Sequence, residues 1–483
     1  MKLVAQFALD SQERIARSKA FQVLYLAFTL LKYGYSLYWK KDFYAAHAAT
    51  LRYERIGGSV DRWQISPVIH QINSDLVASI RKHANKNPLV DSYVRSEEAI
   101  RYQEEFKGYG WEHEVRLRYP RVDDEITRQG DVLLLKPSIS GKEKGAILIQ
   151  YTDAFKKFVS IFNLNEVAKY YRIVLEPSTW GYCDAAILFF LNMQTDVIVQ
   201  AQYAPDYEYI ESLGVNLIPL RMGAGDWVDE DRFQSMPLDA KIYDLVMVAS
   251  WQRIKRHELL FKAVSRCKGT VKKIALIGYP SSGRTKDDVL REAERYGVVE
   301  RIDIYEGISR SDVSKIIGES KIGVMLTLRE GANKGIYECF FSGVPVVISD
   351  RNIGVNREHI NQYTGLTASD ADLAEKITFL LENIGRFAPR EWALTMTGYK
   401  SSTRRLNDAL KACAKKAGEE WTQNIYAKKN DTNARYVLDR DRTAADSAIG
   451  HLRGLLRRQV LKEPPTGSRI LEDGQHTRQN PGL

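Results

Sequence analysis

The sequence predicts an α/β protein of two doubly wound, Rossmann-like domains facing a cleft, with a helical extension before them and a helical region after. Three observations carry that expectation. Short apolar runs recur between helix-length segments, the series of runs starts twice, and both flanks read as helical. A strand that is apolar at successive positions is buried on both faces, the condition of a parallel sheet covered by helices.

Residues 1–100 read as a helical extension. Within it "FQVLYLAFTLLKYGYSLYW", Phe21 to Trp39, is apolar around most of its circumference, with Arg14, Arg17 and Lys19 before it and Lys40 and Lys41 after. Lys32, Gly34 and Ser36 interrupt the run, so a membrane span is not expected. The leading reading is a helix packed on its own domain. The second is peripheral membrane contact through residues 14–41, an interfacial helix held to anionic lipid by its basic flanks.

The first α/β domain is assigned to residues 101–235, with strands expected in "DVLLLKP" (131–137), "GAILIQY" (145–151), "RIVLEPS" (172–178) and "TDVIVQA" (195–201). "NLIPLRMGAGDWVDEDRF" (216–233), rich in glycine and acids, reads as a boundary loop. The second domain, 236–400, repeats the pattern with "YDLVMVAS" (243–250), "KKIALIGYP" (272–280), "RIDIYEG" (301–307), "IGVMLTL" (322–328) and "VPVVIS" (344–349). After Asp370 the texture is helical, and helices over 401–462 are expected to cross back. The tail 463–483 carries Pro, Gly and Gln without periodicity and reads as disordered.

The bulk properties exclude several classes. A chain of 483 residues with 44% apolar and 27% charged residues can bury more than one core. The net charge of +9 suits anionic partners, but the excess lies near the termini and does not argue for nucleic acid. Cys183, Cys267, Cys339 and Cys413 are scattered, so neither a disulfide framework nor a zinc site is expected, and a reducing cytoplasm is the simplest home. No cleavable secretory signal is visible. No Gly-x-Ser-x-Gly elbow, Walker loop or zinc helix occurs; "REHINQ" (357–362) has one histidine after its glutamate.

The most informative stretch is "REGANKGIYECFFSGVPVVISD", Arg329 to Asp350. It reads as strand, loop, short helix from Lys334 or Gly335, Gly-Val-Pro stop, strand. Ligands of open α/β sheets bind beyond the carboxyl ends of such strands, where free N–H groups at a helix start favour phosphate. Gly331 and Gly335 allow close backbone approach. Glu338 is placed to accept from a ribose diol, and Glu330 from the hydroxyls of a second sugar. Read singly, each is a solvated or helix-start acid.

This stretch resembles the family-4 retaining glycosyltransferases of the GT-B fold, whose signature sets two glutamates eight positions apart around a Gly-containing loop before a "G-V-P-V-V" strand. "VASWQRIKRHELLFKAV" (248–264) resembles the family's phosphate-binding turn, with Lys255 at the basic position. The likeness covers about residues 240–400 well and 130–240 loosely. It implies a GT-B-like, metal-independent, hexosyltransferase-like enzyme without a cofactor, moving a sugar from a nucleotide-diphosphate sugar to a glycan or lipid-linked acceptor. Polysaccharide or glycolipid assembly at the cytoplasmic side is the implied setting.

Catalytic candidates are Glu330, Lys255 and Arg253. Donor-binding candidates are Glu338, Gly331, Asn333, Lys334, Gly335, Ile336 and Ile308, and acceptor-side candidates are Glu176, Ser178 and Trp180. The chain departs from the family at Asn333, where a second glycine is usual, and at Ser250, where an arginine is usual; it also lacks an assignable acceptor-side histidine. These departures keep open a non-catalytic nucleotide- or glycan-binding partner in an envelope-assembly complex. "DED" at Asp229 to Asp231 fits a metal-holding pattern but has too few ligands to be expected as one, and His257 reads as a surface or helix-start residue.

Overall fold

A computed structural model of the chain describes residues 19–49, 65–107, 131–139, 142–177, 185–267, 269–330, 333–430 and 434–457. The described residues fall into two compact units. Unit 1 is drawn from Met1–Arg221, Leu406–Tyr426 and Tyr436–Lys462, and unit 2 from Met222–Arg405, Ala427–Arg435 and Glu463–Leu483. The expected tail 463–483 lies outside the described residues.

Unit 1 holds one five-stranded sheet in chain order: β1 Val132–Lys136, β2 Gly145–Gln150, β3 Tyr171–Glu176, β4 Val197–Gln200 and β5 Leu217–Leu220. β2 to β5 are parallel, while β1 pairs antiparallel with β2. An all-buried apolar run specifies burial but not direction, so the expected parallel role of 131–137 gives way to an antiparallel edge. The stretch taken as a boundary loop begins with a strand, β5. Its three half-buried positions are those of a sheet edge, and an edge strand need not be apolar throughout.

The helices Ile65–Arg81, Pro88–Tyr93 and Glu97–Lys107 share a single hydrophobic core with this sheet, through Ile72, Leu76, Leu89, Tyr93 and Phe106. Asn87 starts the second of them in two ways. Its side chain accepts from the Leu89 amide and also donates to the carbonyl of Leu188 at 2.7 Å. The later segments of unit 1 are bound just as specifically. Tyr436 Oη donates to the Leu134 carbonyl at 2.9 Å. The fully buried Lys136 pairs with Glu143 and stacks 3.8 Å from the Trp421 ring centroid.

Unit 2 holds a six-stranded, all-parallel sheet of β6 Tyr243–Val248, β7 Ile274–Gly278, β8 Ile302–Glu306, β9 Ser320–Met325, β10 Val346–Ser349 and β11 Gly365–Ala368. The spatial order is β11-β10-β9-β6-β7-β8. The chain lays down β6, β7 and β8 in one direction and then returns to the other side of β6. The order therefore reverses between β6 and β9, and this is where an open parallel sheet leaves a crevice at its carboxyl edge. β11 was not expected from the sequence: "GLTA" is four residues on an exposed edge.

Candidate functional site

The loops after β6 and β9 meet at that reversal. After β6 the chain passes through Trp251, which is buried with its amide on the Tyr279 carbonyl (3.0 Å) and its indole N–H on Glu306 (2.7 Å). Gly278 makes room for it. A Cβ at 278 would lie 2.2 Å from the Ala249 carbonyl oxygen and 2.7 Å from the indole. A 3-10 turn, Arg253–Lys255, follows, and Arg256 takes the left-handed conformation at φ 62° to start the helix His257–Arg266.

After β9 the chain bends so that Arg329 bridges to Ile353 and the Glu330 amide donates to the Ile353 carbonyl at 2.9 Å. Gly354, at φ 106°, is required here, since a Cβ would stand 2.0 Å from the Glu330 carbonyl oxygen. With both loops pinned, Lys255 Nζ lies 2.5 Å from Glu330 Oε2. Their side chains are 17% and 20% exposed, sheltered from bulk water yet open to a ligand. Charge-assisted contacts in such partly desolvated places are stronger than on an open surface.

Asn333 caps the next helix, Lys334–Phe341, by accepting from the Ile336 amide at 3.3 Å. That role gives a physical reason for asparagine where the resembled family prefers glycine. It also commits the Ile336 N–H to the cap, while the Ile336 side chain is buried in the core. Gly335 is packed rather than strained: a Cβ would fall 3.2 Å from Asn333 Oδ1 and 3.4 Å from the Met325 methyl. At the far end Gly343, at φ 65°, closes the helix. Its amide bonds to the Phe340 carbonyl and the Val344 amide to that of Cys339, both at 2.9 Å.

Glu338 is 2% exposed and accepts from Arg310, the first residue of the helix Arg310–Gly318. Ser309 caps that helix, accepting from the Asp312 amide at 3.2 Å, and Ile308 packs half-buried against the core. Arg310 was not singled out from sequence, because an arginine at a helix start reads as surface. The usable signal was its place directly after the Ser309 cap at the end of β8.

Of the other candidates, Arg253 is exposed and forms no ion pair among the described residues, whereas Lys334 is half-buried. Glu176 is buried at the end of β3 in unit 1, its carbonyl accepting from the Tyr151 amide at 2.9 Å. Ser178, Trp180 and Gly331 lie outside the described residues. Ser250 is buried. Asp229 pairs with Lys429 (2.6 Å), Glu230 with Lys400 (3.2 Å), and Asp231 with Lys400 (2.7 Å), so this acidic triplet ties chain segments of unit 2 together. His257 does start a helix, but it is buried rather than at the surface, packed edge-on against Trp251. Burial, with the Arg284 and Lys255 charges adding to it, pulls its imidazole down to about 3.

Residues 228–391 match the family model described as glycosyl transferases group 1. The match spans β6 to β11 and includes Lys255, Arg310, Glu330 and Glu338. No curated protein matches the chain. Among solved structures, the chain is similar to Anabaena Alr3699/HepE in complex with UDP and glucose at 14% identity, covering 55% of this chain and 78% of that one, with a TM-score of 0.43. It is similar to sucrose-phosphate synthase from Thermosynechococcus elongatus at 13% identity, covering 57% and 74%, with a TM-score of 0.45. It is also similar to a point mutant of S. aureus TarM in complex with Fondaparinux, alpha-GlcNAc-glycerol and UDP at 16% identity, covering 54% of each chain, with a TM-score of 0.43.

Proposed function

We propose that unit 2 binds a nucleotide-diphosphate sugar and that the chain transfers the sugar, with retention of anomeric configuration, to a glycan or lipid-linked acceptor. The observation that carries this reading is the Lys255–Glu330 pair at the strand-order reversal, inside the segment that matches a glycosyltransferase family. A cation and a carboxylate at one point offer two different functions. The ammonium faces an anionic leaving group, and the carboxylate accepts from sugar hydroxyls.

In this reading the acceptor oxygen bonds to the anomeric carbon as the bond from that carbon to the diphosphate oxygen breaks. The electron pair stays on the diphosphate, and the acceptor proton passes to one of its oxygens. Lys255, with Arg253 beside it on the turn, stabilises the charge growing on the diphosphate, so no metal is called for. Glu338 is assigned to the ribose hydroxyls; its carboxylate is 2% exposed and held by Arg310, so the ribose meets it only where that contact is shared or gives way. Acceptor recognition is assigned to unit 1, where Glu176 ends β3. Polysaccharide or glycolipid assembly at the cytoplasmic face of a membrane is the setting in which such an acceptor is met.

A panel of nucleotide sugars tested by thermal shift and by nucleoside diphosphate release decides the matter. At least one donor should stabilise the chain and be turned over, and turnover should be lost in Glu330→Gln. The buried Ser250, standing where a basic residue is usual, favours a second reading, a nucleotide-binding partner without turnover. That reading expects stabilisation by a nucleoside diphosphate and no release from any donor.

A further inference from the structure

We propose that the helix Lys19–Gly34, with the π-helical turn Tyr35–Trp39 that continues it, docks the chain on an anionic lipid surface. One face of this element is fixed to unit 1. Thr29, Tyr33, Ser36 and Leu37 are buried, and Tyr33 Oη donates to the Ile72 carbonyl at 3.1 Å. The opposite face is apolar and open. Leu24, Phe28, Leu31, Tyr35, Tyr38 and Trp39 are exposed by 70, 61, 74, 53, 57 and 82%.

Leu24, Phe28, Leu31, Tyr35 and Tyr38 recur at steps of four and three, and Trp39 stands four residues after Tyr35, which places them along one stripe. Isolated exposed apolar residues are ordinary, but a contiguous patch marks a surface that meets something apolar. Among the described residues, seven of the seventeen exposed large apolar side chains fall between Leu24 and Trp39, so the patch is concentrated rather than scattered.

Charge selects lipid as the occupant. No Asp or Glu occurs from Lys19 to Lys41. Lys40 and Lys41 are exposed beside Trp39, and Lys40 Nζ lies 5.2 Å from the Tyr35 ring centroid. Aliphatic side chains along a helix, with tyrosine, tryptophan and lysine gathered at one end, match the change from acyl chain to headgroup across a membrane interface. No described helix is long and apolar enough to cross a membrane, so this one lies in the plane of the surface. Docking does not depend on the donor chemistry, and either property is measurable when the other fails.

The full chain is to be sedimented with vesicles of phosphatidylcholine, with and without about one third phosphatidylglycerol. The chain should pellet with the anionic vesicles at low salt and be released as salt rises. Phe28→Glu with Leu31→Glu should weaken pelleting on the order of tenfold or more, while nucleotide-dependent thermal stabilisation is kept. Lys40→Glu with Lys41→Glu, a milder surface change, should weaken the anionic preference on the order of tenfold. Failure of the wild-type chain to pellet overturns the proposal, as does pelleting that survives both double substitutions. So does light scattering showing a dimer that the apolar substitutions dissolve, since the face would then belong to a second copy.

Discussion

The buried carboxylate of Glu338 is held by the guanidinium of Arg310, which joins the loop after β8 to the helix that follows β9. Arg310→Met removes the one ion-pair partner, among the described residues, of an almost fully buried acid. Loss of about 1–3 kcal/mol of stability is expected in urea unfolding, because the remaining charge stays desolvated.

Lys255 and Glu330 should act as a unit in turnover. Lys255→Met and Glu330→Gln are each expected to lower kcat/KM by roughly a hundredfold or more. The double variant should be far less impaired than the product of the two. Stability should change by less than about 1 kcal/mol, since both side chains keep some solvent contact. Steady-state kinetics and a denaturation curve on the same preparations check both statements.

Asn333 tests the departure at the helix start. Asn333→Ala should cost about 1 kcal/mol and Asn333→Gly only a few tenths, because glycine is itself tolerated at that position. Urea midpoints of the two variants read the difference directly.

His257 gives unit 2 a pH dependence. Its folded imidazole is depressed to about 3 from an ordinary 6.5. Between those values the unfolded chain holds a proton at this residue that the folded chain does not, so stability falls as pH drops through the window. The slope approaches about 1.4 kcal/mol per pH unit for one proton. His257→Phe keeps the apolar packing on Trp251 and should flatten the acid limb of the stability curve by up to one proton.

Asp226 is wholly buried and accepts from the Thr397 hydroxyl and the Gly223 amide, both at 2.8 Å. Asp226→Ala leaves both donors unsatisfied and should cost about 3 kcal/mol. Thr397→Val, which removes one donor, should cost less. Thermal melts order the two.

Much of unit 2 was legible in the sequence, for a physical reason. Strands buried on both faces leave runs such as "YDLVMV" and "VVIS", and the helix between Asn333 and Gly343 carries its own start and stop signals. Lys255 and Glu330 were each singled out, Lys255 through the family resemblance and Glu330 from its place at a strand end, but their pairing was not read from the sequence and emerges only from the fold. β5 and β11 were hidden because edge strands are short and only partly apolar. The direction of β1 was hidden because burial is the same for either direction. Arg310 and the buried state of His257 depend on what the rest of the fold lays against them, and neighbouring residues do not encode that.

Calorimetric titration of the wild-type chain and Glu338→Gln with a panel of nucleoside diphosphates tests the donor site most directly. At least one nucleotide should bind the wild-type chain, and the variant should bind it about tenfold more weakly, the loss of one charge-assisted contact. Binding of equal strength to both proteins, or of no nucleotide to the wild-type chain, would contradict the assignment.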